Sequence, residues 1–323
     1  MAEKNNLPYP SKEDILKAHQ RITPYIHHTP VLTSKTLDSM MNASFFFKCE
    51  NFQKTGAFKA RGATNAVFSL DRESLSFGVA THSSGNHAQG LSRAASLAHT
   101  PAYIVMPSNS SNVKVAAVKN YGGEVIFCEP TLEARESTLA EVIKKTKAIE
   151  IHPYNNPLII AGQATAALEL LHSVPGLDII LAPVGGGGLL SGTALSAYYF
   201  SPDTSVIGTE PDQANDAYLS FTSRTFIPSE HPDTIADGLR TSLGSITFPI
   251  ILSHVSQIVT VSEQSIIKAM RFVWERMKIL IEPSSAVPVA AIMEDKIEIR
   301  KKKVGIIISG GNIDLDHLPW IQI

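Results

Sequence analysis

The chain has 323 residues, 44% of them hydrophobic and 18% charged, and its 28 Lys and Arg against 30 Asp and Glu leave a formal net charge of −2. That composition suits one large or two ordinary domains and argues against disorder. It carries no electrostatic footprint for nucleic acid or a charged membrane surface, and no apolar run approaches the ~18 residues a membrane span needs. Two cysteines without CxxC spacing, Cys49 and Cys128, predict reduced thiols rather than a disulfide framework. The stretch Met1 to Pro10 is polar and lacks an apolar signal core, so a cytoplasmic protein is expected. The sequons at Asn42 and Asn109 then have no glycosylation context.

In chain order, Ser11-Lys-Glu-Asp14 has the character of a capping box and opens a helix with apolar residues at Ile15, Ala18, Ile22 and Tyr25. Ser44 to Lys48 reads as a strand. Further strands are predicted at Gly78–Thr81, Ala102–Met106, Glu124–Cys128, Asp178–Ala182, Ser205–Gly208, Gln257–Val261 and Val304–Ile308. Several are apolar throughout, as in strands covered on both faces. Between them lie helical patterns such as Ser262 to Lys278, where Ile266, Ile267, Met270, Val273, Trp274 and Met277 share one face. The basic run Arg300 to Lys303 reads as a solvated strand entry. Strand–helix alternation predicts an α/β fold with two open twisted, mostly parallel sheets flanked by helices. The best boundaries lie near Phe68–Gly78 and Ile151–Pro157, giving a large domain from residues 1–70 and 152–323 and a small one from 71–151.

Four segments at strand-to-helix junctions carry chemistry. Asn51 to Gly62 places Lys59 beside Phe58, where apolar surroundings would depress the amine's pKa and favour imine formation; alone, Lys59 also reads as a surface lysine. Gly185 to Gly188 precede a helix near Leu189. Four glycines in a row are entropically costly and suit backbone N–H groups wrapped around an anion. With no GK[ST] and no GxGxxG, a monoester phosphate suits them better than a pyrophosphate, and a tight turn is the alternative. Thr81 to His87 gathers hydroxyls, an amide and N–H groups that could hold a carboxylate. Ser309-Gly-Gly-Asn312 puts a hydroxyl at a sheet's carboxyl edge, where it could bond a heteroaromatic nitrogen.

Together, FQKTGAFKARGA, SSGNHAQ, GGGGLLSG, IADG (Ile235 to Gly238) and SGGN resemble the fold-type II pyridoxal 5'-phosphate (PLP) enzymes, the tryptophan synthase β-like group. Within that group they are most similar to the serine racemase branch and its threonine and hydroxyaspartate dehydratase relatives. The resemblance runs from about Lys12 to Asp314. It implies racemisation of L- and D-serine with β-elimination to pyruvate and ammonia, with a dedicated L-threonine/L-serine or threo-3-hydroxyaspartate dehydratase as the alternative and a non-catalytic PLP- or nucleotide-binding protein as a remote one.

By this resemblance Lys59 carries PLP as a Schiff base, Phe58 packs beside its ring and Asn86 meets the ring hydroxyl. Gly185, Gly186, Gly187, Gly188 and Leu189 hold the phosphate, and Ser309 faces the ring nitrogen. A neutral hydroxyl there disfavours transamination and leaves β-elimination and proton exchange at Cα. Lys59 would serve one face of Cα and Ser84 the other. Ser83, Asn86, His87, Arg135 and Ser242 match residues around the substrate carboxylate, with Arg135 suited to bidentate pairing after the small domain closes. Glu210, Asp216 and the Ala214 carbonyl match a Mg²⁺ site, or one for Ca²⁺ or Mn²⁺. Ser34, Lys35, Thr36, Lys54, Thr55, Gln89, Tyr121, Lys278 and Asn312 match an ATP site at a homodimer interface. Tyr154 departs from the asparagine of vertebrate-type sequences, and Glu282 matches a residue that orders the site.

Overall fold

Ser11 accepts a hydrogen bond from the Asp14 N–H through its hydroxyl while the Asp14 carboxylate accepts one from the Ser11 N–H at 2.9 Å, closing the capping box expected there. These features come from a computed structural model that describes residues 9–320, so the reading of the first eight residues lies outside the described ones. The helix that follows, α1 (Lys12–Ile22), ends before Pro24, which has no N–H to donate. Tyr25, expected to continue the helical face, sits instead in a short 3₁₀ turn.

Beyond this turn come β1 (Val31–Thr33), α2 (Lys35–Met41), β2 (Ser44–Cys49), α3 (Lys59–Val67), α4 (Arg72–Phe77), β3 (Val79–His82) and α5 (Asn86–Leu97). Then follow β4 (Ala102–Pro107), α6 (Asn112–Asn120), β5 (Glu124–Cys128), α7 (Leu132–Thr146) and β6 (Ile149–Glu150). The second half contains α8 (Pro157–Ser173), β7 (Ile179–Pro183), α9 (Gly188–Phe200), β8 (Ser205–Pro211), α10 (Asp216–Ser223) and α11 (Thr247–His254). It closes with β9 (Gln257–Val261), α12 (Glu263–Met277), α13 (Pro283–Met293) and β10 (Lys303–Ile308).

The strands form two sheets, one ordered β1-β2-β10-β7-β8-β9 and the other β5-β4-β3-β6. All pairings are parallel except that of β1 with β2. The eight predicted strands all form, shifted by a residue or two at their ends; β8 runs on to Pro211. The strands not anticipated, β1 and β6, span three and two residues, too short for any periodic signal. Strand β7 is buried along its whole length, as its unbroken apolar run requires. Cys49 and Cys128 are free thiols.

Two features seat α3 in the core. A Cβ on Gly162 of α8 would lie 2.6 Å from the Gly62 Cα, so only glycine allows α3 and α8 to approach this closely. Beside that contact, Arg61 of α3 donates to Glu50 and to Glu169 of α8, and Lys48 of β2 donates to Glu169 at 2.6 Å. All four charged side chains are at most 3% exposed. Two cations and two carboxylates thus neutralise one another beneath the turn that carries Lys59.

Candidate active site

The carboxyl ends of β2 and β10 converge on Lys59. After β2 the chain makes a 3₁₀ turn (Lys54–Gly56) in which Thr55 adopts a left-handed φ of 60°. The Phe58 N–H then donates to the Ser309 carbonyl at 2.9 Å, fixing the start of α3 beside the end of β10. The Lys59 Nζ donates to the Pro153 carbonyl at 2.7 Å and lies 5.2 Å from the centre of the Phe58 ring. Surrounding protein pulls the amine down to about 8 by desolvation. Phe58 itself packs on the apolar cluster that contains Leu189 and Leu243.

The glycine run opens α9. Gly187 takes φ of +85°, and no side chain caps the helix. A Cβ on Gly185 would fall 2.8 Å from the Leu239 Cα, and one on Gly186 would fall 2.3 Å from the Tyr154 ring. The loop is therefore a backbone-lined cradle at the N-terminus of a 13-residue helix, where first-turn N–H groups favour an anion. Thr247 braces it by donating to the Gly186 carbonyl at 2.8 Å. Tyr154, packed against the same loop, shares a 3.0 Å hydrogen bond with Thr241. A reactive amine of lowered basicity, an uncapped glycine cradle and a buried hydroxyl at a strand end are together the donor set that PLP needs, so these residues fit that group.

The serine–asparagine segment joins β3 to the first turn of α5, which begins at Asn86. Asn86 donates to both carboxylate oxygens of Glu282 at 2.9 and 3.1 Å, and Asn312 donates to the Asn86 side-chain oxygen at 2.8 Å and to the Thr55 carbonyl at 2.7 Å. Glu282 is pushed up to about 8, first by burial and then by the Asp237 charge. Ser83 accepts the Gly85 N–H at 3.3 Å, and Ser84 is half-buried next to it. His87 is 2% exposed and its Nε2 bonds the Ile151 carbonyl at 2.9 Å. Desolvation first, and then the Lys59 charge, lower His87 to about 3. Its Nδ1 is buried without a partner among the described residues. His152, lowered to about 4 by burial and by His82 and Lys59, is likewise neutral near the amine.

Other expected site residues lie further apart. Arg135 is on the first turn of α7, where its Nε donates to the Thr131 carbonyl at 3.3 Å; burial first, and then the Arg135 charge, lower the pKa of His82. Ser242 accepts the Ser229 N–H at 2.8 Å. Among the described residues no hydrogen bond joins Arg135 to Ser242 or to Ser84. Glu210 and Asp216 are both buried, and Glu210 accepts the Ala217 and Tyr218 N–H groups at 3.1 and 2.8 Å. Both Asp216 oxygens lack a hydrogen-bond partner among the described residues. One buried carboxylate with unpartnered oxygens, Asp216, and a second, Glu210, whose oxygens accept only backbone N–H groups are hard-oxygen donors of the kind that fit a divalent cation. No cluster of three or more His, Cys, Asp or Glu occurs among the described residues, so waters would complete such a shell.

Ser34, Lys35 and Thr36 line a cavity of about 410 Å³ together with Arg276 and Met277, next to Lys278. Thr55 meets Asn312, while the Lys54–Gly56 turn packs on α5, which carries Gln89. Tyr121 caps the end of α6. Sequence reasoning missed the Pro153 carbonyl, Thr247, Ser285 and the buried Lys48–Glu50–Arg61–Glu169 set. A backbone acceptor leaves no residue-type signal, and the side chains reach the site from distant segments.

A family model described as "Pyridoxal-phosphate dependent enzyme" matches residues 22–310. The chain is 50% identical over 311 residues to a beta-hydroxyaspartate dehydratase of Paracoccus denitrificans, covering 96% of this chain and 99% of that one. It is 51% identical over 314 residues to the serine racemase of Dictyostelium discoideum, covering 96% and 97%. The structure of maize serine racemase superposes with a TM-score of 0.93 at 44% identity, covering 94% of each chain. Match and site geometry agree over nearly the whole length, and the chain belongs to the pyridoxal-phosphate dependent enzymes.

Proposed function

We propose that the protein racemises L-serine to D-serine and also eliminates water from serine to give pyruvate and ammonia. Bound PLP supplies the electron sink that acidifies the substrate Cα–H. Lys59 would carry PLP, the Gly185–Gly188 cradle with Leu189 would hold its phosphate, and Phe58, Asn86 and Ser309 would flank its ring. The observation that carries the reading is the placing of the desolvated Lys59 amine, 5.2 Å from the Phe58 ring, at the strand ends where the Phe58 N–H meets the Ser309 carbonyl, in a chain that also supplies the uncapped glycine cradle. At neutral pH that amine is an effective proton donor and, in its neutral fraction, an effective acceptor. Ser84 supplies the hydroxyl for the opposite face of Cα. Ser83, Asn86, His87, Arg135 and Ser242 would surround the substrate carboxylate, and residues 71–151 would act as a small domain that closes over it. Loss of a Cα proton with return from either face gives racemisation, and loss of the β-hydroxyl from the same carbanion gives elimination.

The same reading assigns Glu210, Asp216 and the Ala214 carbonyl to Mg²⁺ or Ca²⁺. It assigns ATP, as an activator, to Ser34, Lys35, Thr36, Lys54, Thr55, Gln89, Tyr121, Lys278 and Asn312 in a cytoplasmic homodimer. Among the described residues no helix is long and apolar enough to cross a membrane. A second reading, a dedicated dehydratase for threo-3-hydroxyaspartate, is favoured by the 50% identity to the Paracoccus denitrificans enzyme.

A panel of L-serine, D-serine, L-threonine and threo-3-hydroxyaspartate, run with and without Mg²⁺ and ATP on wild type and Ser84→Ala, separates the two. D-serine formation from L-serine should fall at least ~100-fold in Ser84→Ala while some elimination of L-serine survives. Racemisation undiminished by Ser84→Ala would remove the two-base assignment, and turnover of hydroxyaspartate with no D-serine would establish the dehydratase.

A further inference from the structure

Ser309 does not stand alone at the end of β10. Its hydroxyl lies 2.9 Å from that of Ser285, in the first turn of α13, and both residues are at most 2% exposed. The Ser285 oxygen accepts the Gly310 N–H at 2.7 Å and also lies 2.7 Å from the Gly310 carbonyl oxygen. Each hydroxyl has one proton. If Ser285 gives its proton to the Gly310 carbonyl, Ser309 must donate to Ser285 and can only accept from a ligand. If Ser285 gives its proton to Ser309, the Ser309 proton is released to point outward as a donor.

Three observations select the second arrangement. The Gly310 carbonyl already accepts the Glu282 N–H at 3.1 Å, so it is not left bare when Ser285 turns away. The buried carboxyl close by, Glu282, held by the Asn86 side chain and the Asn312 N–H, is pushed up to about 8 by burial and then by the Asp237 charge, so near neutral pH it is mostly uncharged and offers little to a cation at Ser309. Ser285 sits on the positive end of α13, which further disfavours a protonated partner there. The Gly310 N–H, Ser285 and Ser309 then form a head-to-tail chain, each bond polarising the next.

We propose that Ser285 is a positioning residue that sets the direction of the Ser309 hydrogen bond, making Ser309 a strengthened donor to an unprotonated ring nitrogen. The inference rests on the reading that places PLP with its ring nitrogen at Ser309. By this relay the chain keeps its cofactor a moderate electron sink, suited to proton exchange and elimination rather than transamination, without a charged group.

The test is ¹⁵N NMR of the holoenzyme loaded with PLP labelled at the ring nitrogen, with cofactor affinity as a second measurement. In Ser285→Ala the ring-nitrogen resonance should move toward the position of a pyridine without a hydrogen bond, and the PLP dissociation constant should rise roughly two- to tenfold. Ser285→Thr, which keeps the hydroxyl, should restore both, and Ser309→Ala should move the resonance at least as far as Ser285→Ala. A Ser285→Ala resonance identical to wild type overturns the proposal. So does a shift that Ser285→Thr leaves unrepaired, because that outcome assigns the effect to packing. If wild type forms no cofactor absorbance dependent on Lys59, the PLP reading itself fails, and this is seen before any variant is compared.

Discussion

An amine that works as a base near neutral pH must be kept from holding its proton, and in Lys59 the surrounding protein does this by desolvation alone. The consequence for stability has a definite sign. The folded chain binds this proton with a pKa of about 8 and the unfolded chain with 10.5, so the unfolded state holds more protons between those values and stability rises with pH across the window. Below pH 8 the full penalty applies. Cofactor-free Lys59→Met should therefore be more stable than cofactor-free wild type at pH 7, by up to a few kcal/mol, and the difference should vanish by about pH 10.5. Thermal melts across that range decide it; a gain that does not change with pH would mean that Lys59 carries no such penalty. At this scale the reactive residues were legible because Lys59, Asn86 and Ser309 each follow a strand and each belongs to a dense local motif. Ser285 and the Pro153 carbonyl were not: nothing near either in the chain marks it, and only the convergence of β2, β10 and α13 gives it a role.

At the scale of an element, α3 is placed by charge as well as by glycine. Burial would raise the pKa of Glu169, but Arg61 and Lys48 outweigh it and hold the carboxyl at about 2. A depressed carboxyl adds stability that is present above its usual 4.5 and is lost as pH falls through 2, so the network stays intact through all moderately acidic conditions. Removing one partner is a different matter, since two buried cations would lose a counter-charge. Glu169→Gln should cost ~3–5 kcal/mol in urea unfolding, whereas Glu13→Ala, which removes an exposed pair with Lys17 at the start of α1, should leave the urea midpoint little changed. Comparable costs for the two would show that the buried set does not hold α3 in place. The strands and the helical faces were readable because each carries an apolar run or an apolar period over four or more residues. Lys48 closes an aromatic strand and Arg61 follows a motif lysine, and neither position discloses that its charge is buried, because the neutralising Glu169 lies over a hundred residues further along the chain.

Across the whole molecule, the four-stranded and six-stranded units meet over the site, and among the described residues an ion pair spans them. Lys114 of α6 bonds Asp237 in the IADG segment. Both side chains are substantially exposed, at 35% and 48%, so the pair is screened and of modest strength. Its position gives it leverage on closure: it links the unit proposed to move to a loop whose Leu239 backs the glycine cradle. If the pair favours the closed arrangement, its loss raises the cost of closing and weakens substrate binding without touching a reacting atom. Lys114→Ala should then raise the KM for L-serine roughly two- to fivefold at low salt, with kcat little changed. In 1 M KCl, where the screening length is about 3 Å, wild type should approach the variant and the difference should shrink toward unity. A KM difference that is independent of salt would place the effect of Lys114 in local packing and remove the latch from the account of closure.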